Sequence, residues 1–134
     1  MGGARKFLQR GLRVCKHSHK LWLEYFRFEL SYSSHLKARR DVVQLKSDEE
    51  SIKESAQKKI VQGSVALLVF EKAVNKLFPA SEARSADSTE ALVQFGRKSF
   101  EILETFGHSL DVYPIRHKML EIVEARAAHL ASYW

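Results

Sequence analysis

Apolar side chains recur along the start of the chain with a helical period. Ala4, Phe7, Leu8, Gly11, Leu12 and Cys15 fall at offsets 0, 3, 4, 7, 8 and 11, which at 3.6 residues per turn is one face of a helix over 4–15. After the polar turn His17-Ser18-His19, a second helix is predicted over 20–43. Trp22, Tyr25, Phe26, Leu30 and Leu36 form its apolar side, and Ser33-Ser34 is a point that could loosen it. Residues 44–59 are polar and highly charged and read as an inserted, partly ordered linker, within which Ser47 and Glu50 have the spacing of a capping box. A third helix is predicted over 59–78, with Gly63-Ser64 as a break and Pro79 at its end. Residues 80–88 form a small-residue loop, where Asp87 and Glu90 have cap-like spacing for a fourth helix over 88–106. Leu92, Phe95, Ser99, Leu103 and Phe106 are its inner side, and Gly107 is a natural stop. Pro114 suits the first turn of a fifth helix, where its missing N–H does no harm. Its apolar side would hold Ile115, Met119, Ile122, Val123, Ala127 and Leu130. No segment reads as a strand, so the expected fold is all-α with about five helices.

The chain also matches itself. Residues 4–12 (Ala-Arg-Lys-Phe-Leu-Gln-Arg-Gly-Leu) and 66–74 (Ala-Leu-Leu-Val-Phe-Glu-Lys-Ala-Val) share one template. It runs small residue, two spacers, two apolars, Gln or Glu, cation, small residue, aliphatic. The small residues Ala4, Gly11, Ala66 and Ala73 admit a neighbouring helix, and the bulky Leu8, Leu12 and Phe70 fill the gaps. Between the copies, Trp22, Tyr25 and Glu29 stand on one face, where aromatics wedge between paired helices. A Trp-x-x-aromatic helix alternating with an Ala-containing helix is the logic of a helix-hairpin solenoid. Four regions follow: 1–43, a basic repeat region; 44–59, the charged insert; 60–79, the second helix of a repeat; and 80–134, a degenerate helical hairpin.

These residues carry a family resemblance. Ala4-Arg5…Phe7-Leu8-Gln9-Arg10-Gly11-Leu12 resembles the second helix of a half-a-TPR repeat, whose usual form is Ala-Arg-x-Ile-Tyr-Glu-Arg-Ala-Leu. Lys20-Leu21-Trp22-Leu23-Glu24-Tyr25-Phe26-Arg27-Phe28-Glu29-Leu30 resembles its first helix, with the family's Trp, Tyr and Glu at Trp22, Tyr25 and Glu29. Val69-Phe70-Glu71-Lys72-Ala73-Val74…Pro79 resembles another second helix with its trailing proline. Within the half-a-TPR group the run is most similar to the U-three small nucleolar RNA-associated protein six family of the small-subunit processome. The resemblance covers residues 4–79; Leu92 to Leu103 lacks the Trp and Tyr of a first helix. It implies a non-catalytic nucleolar scaffold with other processome proteins as partners, in direct or indirect contact with small nucleolar RNA or pre-ribosomal RNA. Half-a-TPR scaffolds of pre-mRNA splicing and 3′-end cleavage share the architecture and remain an alternative, because fold likeness alone does not choose among them. A helical signalling module or an enzyme unrelated to the repeat family is a further alternative.

Charge sharpens the partner question. The chain of 134 residues carries a net +6. Residues 1–46 hold 11 Lys and Arg against 3 acids, a net +8, and the rest hold 11 against 13, a net −2. At 100° per residue, Arg5, Lys6, Arg10, Arg13 and Lys16 fall between about 100° and 240° from Ala4 and form a basic stripe. Lys20, Lys37, Arg39 and Arg40 extend the patch. A solvated face, an RNA backbone and an acidic protein groove all fit it. Arg5 and Arg10 also sit where they could pair with a helix carboxylate such as Glu29. Trp22, Tyr25 and Glu29 read as packing between helices rather than as a ligand cage.

Other chemistry finds little support. His17-x-His19 lies in a turn and Cys15 is the single cysteine, so neither zinc-ligand spacing nor an internal disulfide is expected. There is no phosphate-cradling glycine loop, nucleophile elbow, RNP aromatic motif or GxxG loop. We therefore expect no catalytic residues, metal, cofactor or small-molecule substrate, and no sequence-specific RNA reading. Ser47 with its following acids reads as a phosphorylation site or, preferably, as the capping box. The longest apolar run, Val65 to Phe70, is far short of the roughly 20 residues of a membrane span. The N-terminal residues lack the apolar run of a secretory signal, which gives a soluble intracellular protein. Finally, the first helix matches the second half of a repeat and carries Phe7, Leu8, Leu12 and Val14 with nothing before it to cover one flank. A longer solenoid is expected, with residues 1–16 fraying or self-associating in isolation.

Overall fold

Long stretches free of proline and glycine let the backbone satisfy its hydrogen bonds locally, and every regular element among the described residues is a helix. The computed structural model describes residues 2–44, 60, 63–78 and 86–131. Among these the regular elements are α1 (Gly2–Val14), α2 (His19–Gln44), α3 (Ser64–Leu77), α4 (Ala86–Glu104) and α5 (Val112–Ala131). The chain is an all-α protein of five helices among the described residues, as its periodicity predicts. The charged insert with its Ser47–Glu50 spacing and Pro79 lie outside the described residues.

The break expected at Gly63-Ser64 is present: Ile60 is helical, Gly63 takes φ 87° and ψ 17° and turns the chain, and α3 begins at Ser64. A Cβ at Gly63 would lie 2.5 Å from Ile115 Cδ1, so the close approach of α5 requires glycine as well. α2 passes unbroken through Ser33-Ser34. Ser33 is fully buried and its hydroxyl donates to the Ile60 carbonyl at 2.8 Å, which holds the strand-free entry to α3 against α2. α4 begins at Ala86, so Asp87 lies inside its first turn and not at a cap. Its end comes at Glu104, where Thr105 and Phe106 tighten onto the carbonyls of Ile102 and Leu103 before Gly107.

Cross-helix contacts fix the topology. α1 and α2 run antiparallel: Arg5 meets Glu29, Gln9 meets Tyr25, and Gly11 lies against Leu21. α2 and α3 are also antiparallel, with His19 beside Phe78 and Phe26 against Phe70. So are α4 and α5, where Glu104 pairs with Arg116 and Gly96 lies against Val123. Between the hairpins the sense is parallel. Gly63 and Asn75 at the two ends of α3 meet Ile115 and Arg126 of α5, while His19 at the start of α2 meets Phe95 of α4. Two helical hairpins, α2–α3 and α4–α5, are thus stacked with α2 beside α4 and α3 beside α5, and α1 precedes them on the outer side of α2.

The core follows from this stacking. Phe26, Phe70 and Phe95 form a chain of rings with centroids 5.9 and 6.0 Å apart, and Phe78 adds to it from the end of α3. Leu30, Ala66, Ala73, Val74, Leu92, Leu103, Ile115 and Met119 close around them. Ala66 and Ala73 are the small residues of the repeat template, and their burial lets the helices approach. No described helix is long and apolar enough to cross a membrane.

Candidate nucleic-acid interface

The α1–α2 seam is joined by three polar rungs. Trp22 Nε1 donates to the Lys16 carbonyl at 2.9 Å, Gln9 Nε2 donates to the Tyr25 hydroxyl at 3.0 Å, and Arg5 donates to Glu29 at 2.8 Å. Trp22, Tyr25 and Glu29 recur every three or four residues on α2, so one side of that helix reaches α1 at each turn. All three are buried. They tie the helices together and leave no open aromatic cage. The Trp22 bond satisfies a carbonyl just beyond the end of α1, where the helix itself supplies no donor.

This seam rotates α1 away from its expected orientation. Leu12 is buried and Leu8 partly so, but Arg5 is also half-buried, and Gln9, itself exposed, reaches the Tyr25 hydroxyl. Phe7 and Val14 remain 76% and 80% exposed. Ala4, expected among the packing residues, is exposed as well. The apolar flank that holds Phe7 and Ala4 meets no helix among the described residues, whereas the polar partners Tyr25 and Glu29 on α2 draw in the neighbouring flank. At the equivalent positions of α3, Ala66, Val69, Phe70, Ala73 and Val74 are all buried.

The basic stripe is therefore narrower than the sequence implies. Arg5 leaves it to neutralise Glu29, and its guanidinium sits 4.8 Å from the Tyr32 ring centroid. Lys6, Arg10 and Arg13 stay exposed on one side of α1, and none forms an ion pair among the described residues. Lys16 is exposed in the turn after α1. Lys20 belongs to a different neighbourhood, a groove between α2 and α4 that it lines with Arg27, Lys98, Glu24 and Glu101. Lys98 and Glu101 join that groove through hairpin stacking, which no spacing in the sequence signals. Lys37 is half-buried and Arg39 exposed on the overhanging end of α2, roughly 25 Å along the helix from Lys20 at 1.5 Å per residue. The Arg40 side chain lies outside the described residues. The described cations thus do not form one patch; the compact cluster is Lys6, Arg10 and Arg13.

Elsewhere the polar chemistry is sparse. His19 sets its ring edge-on to Phe78 and Phe95, and its pKa is lowered by burial first and by the nearby Lys98 charge second. No group of three His, Cys, Asp or Glu side chains is gathered for a metal ion among the described residues. Cys15 is a free, exposed thiol. Shallow grooves run between α3 and α5, lined by Leu67, Leu68, Glu71, Lys118, Glu121 and Ile122. No family model matches the chain, and no curated protein or solved structure is significantly similar to it.

Proposed function

We propose that this chain is a non-catalytic scaffold in ribosome biogenesis, acting in the nucleolus within the small-subunit processome. The observation that carries the reading is the α1–α2 seam. Among the residues through which the sequence resembles half-a-TPR repeats, Tyr25 and Glu29 each bond to a side chain of the preceding helix and Trp22 bonds to the turn that follows it. The hairpin stacking of α2–α3 on α4–α5 supports the same reading, since such stacks present long helical surfaces to other macromolecules. Other processome proteins are the proposed partners, and Lys6, Arg10 and Arg13 are the residues proposed to contact small nucleolar RNA, pre-ribosomal RNA or an acidic protein.

Depleting the protein from cells tests this. Maturation of small-subunit ribosomal RNA should stop while large-subunit RNA continues to form. Normal small-subunit processing with a defect in splicing or 3′-end cleavage would instead assign the scaffold to another RNA-processing complex. Direct RNA contact has its own signature. Binding should weaken with salt, each phosphate contact adding about 0.7 to 0.9 to the log–log slope.

A further inference from the structure

α1 and α3 carry the same template, yet only α3 is enclosed. Val69 and Ala66 of α3 are 5% and 0% exposed, whereas their counterparts Phe7 and Ala4 of α1 lie at the surface. α3 meets α2, α4 and α5, through Phe26, Phe95 and Ile115 among others. α1 meets α2. Among the described residues, no helix stands to the outer flank of α1 as α2 stands to α3. At 100° per residue from Ala4, that flank places Arg13, Lys6 and Arg10 at about 180°, 200° and 240°, and Val14 and Phe7 at about 280° and 300°. The exposed Phe7 and Val14 therefore share one flank of α1, with three cations along its edge that form no ion pair among the described residues.

We infer that this flank docks a partner's amphipathic helix, lying antiparallel to α1, whose apolar seam covers Phe7 and Val14 and whose acidic edge faces Lys6, Arg10 and Arg13. The chemistry of the face selects this occupant. A second copy of the chain would set three cations against three cations, and like charges facing each other oppose association. A nucleic-acid backbone would pair with the cations and leave Phe7 and Val14 in water. A helix with a glutamate or aspartate edge satisfies both halves of the surface, and helix-in-groove recognition reads such anchors at positions three, four and seven apart. The spacing of Phe7 and Val14 is seven residues, two turns on one face. The inference holds whether or not the partner belongs to the processome.

The test uses the whole chain and designed peptides of about 20 residues, long enough to hold a helix in isolation. One peptide has a leucine seam with a glutamate edge, a second the same seam with a lysine edge, and a third the glutamate edge with glutamine in place of leucine. The first should bind and the other two should not. Phe7→Gln with Val14→Gln should weaken binding by about tenfold or more, as loss of central apolar anchors does. These residues are exposed, so an unchanged circular dichroism spectrum is expected and excludes misfolding as the cause. Lys6→Glu with Arg10→Glu and Arg13→Glu should transfer the preference to the lysine-edged peptide. Equal binding of both leucine-seamed peptides, or binding of neither, overturns the inference. So does a single-stranded RNA oligonucleotide that displaces the acidic peptide and binds the Phe7→Gln, Val14→Gln variant unchanged. A dimer in sedimentation that this variant abolishes would show the occupant to be a second copy.

Discussion

Arg5 donates through both Nε and Nη2 to a single oxygen of Glu29, at 3.1 and 2.8 Å, and the other Glu29 oxygen is buried without a partner among the described residues. Glu29 is 1% exposed while the Arg5 side chain is 35% exposed. The pair is therefore asymmetric: the acid is desolvated and the base is half in water. Removing the base leaves a buried carboxylate uncompensated. Arg5→Ala should cost about 2 to 4 kcal/mol, the solvent access of Arg5 holding it toward the lower end. Adding Glu29→Gln should recover part of that loss, because the stranded charge is gone. Urea unfolding of the two variants measures the difference, and a double variant no more stable than Arg5→Ala would contradict this account.

Two glycines should respond in opposite directions to the same substitution. At Gly63, Ala must adopt φ 87° and place its Cβ 2.5 and 2.8 Å from Ile115 Cδ1 and Cγ1. Backbone strain and overpacking together should destabilise the protein by about 2 to 4 kcal/mol. Gly11 lies within α1, and a Cβ there would touch only the tip of Leu21, at 3.2 Å. Leu21 is half-buried and can yield. Gly11→Ala should then be neutral or stabilising by up to about 1 kcal/mol through helix propensity. Thermal melts of both variants check the pair of signs.

Trp22→Phe tests the first rung of the seam. The indole N–H is lost, the Lys16 carbonyl loses its donor, and some buried volume disappears. A cost of about 1 to 3 kcal/mol is expected. Hydrogen exchange should locate it, since among the described helices α1 packs mainly on α2 while α3 is enclosed on several sides. Amides of α1 should exchange faster than those of α2 and α3 in the native protein, and faster still in the variant. Protection of α1 equal to that of α3 would show that its flank is covered.

His19 gives the fold a sensitivity to acid. Its pKa is lowered in the folded state by burial against Phe78 and Phe95 and by Lys98, so the unfolded chain takes up this proton first. Between the lowered folded pKa and the ordinary value of about 6.5 the unfolded state binds more protons, and stability rises with pH. The contribution is complete above that ordinary value and is lost as pH falls through the window. His19→Gln should flatten the slope of stability just below the ordinary histidine value of about 6.5. An unchanged slope would assign the acid sensitivity elsewhere.

The described helices were legible in the sequence because periodicity is a local property. The inward residues of α4, Leu92, Phe95, Ser99 and Leu103, were evident from spacing alone and are all buried. So were Trp22, Tyr25, Phe26, Leu30 and Leu36 of α2. Gly63 was visible as a break, but its positive φ and its contact with Ile115 were not, since they arise from a helix far along the chain.

What the sequence by itself determined is the set of helices and, for the enclosed ones, the face each turns to the core. There the apolar stripe has neighbours on every side, and burial follows hydrophobicity. What only the tertiary structure decided is which faces have neighbours. The stripe on α1 is as apolar as its counterpart on α3, yet Phe7 is exposed and Val69 is buried. Arg5, a member of the basic stripe by periodicity, is held at the seam because Glu29 on α2 comes within 2.8 Å. The stacking of the two hairpins likewise joins Lys20 to Lys98 and separates it from Lys37. Spacing along one helix fixes the angle at which a side chain leaves the axis; whether that direction holds water, a carboxylate or another helix depends on how the hairpins pack.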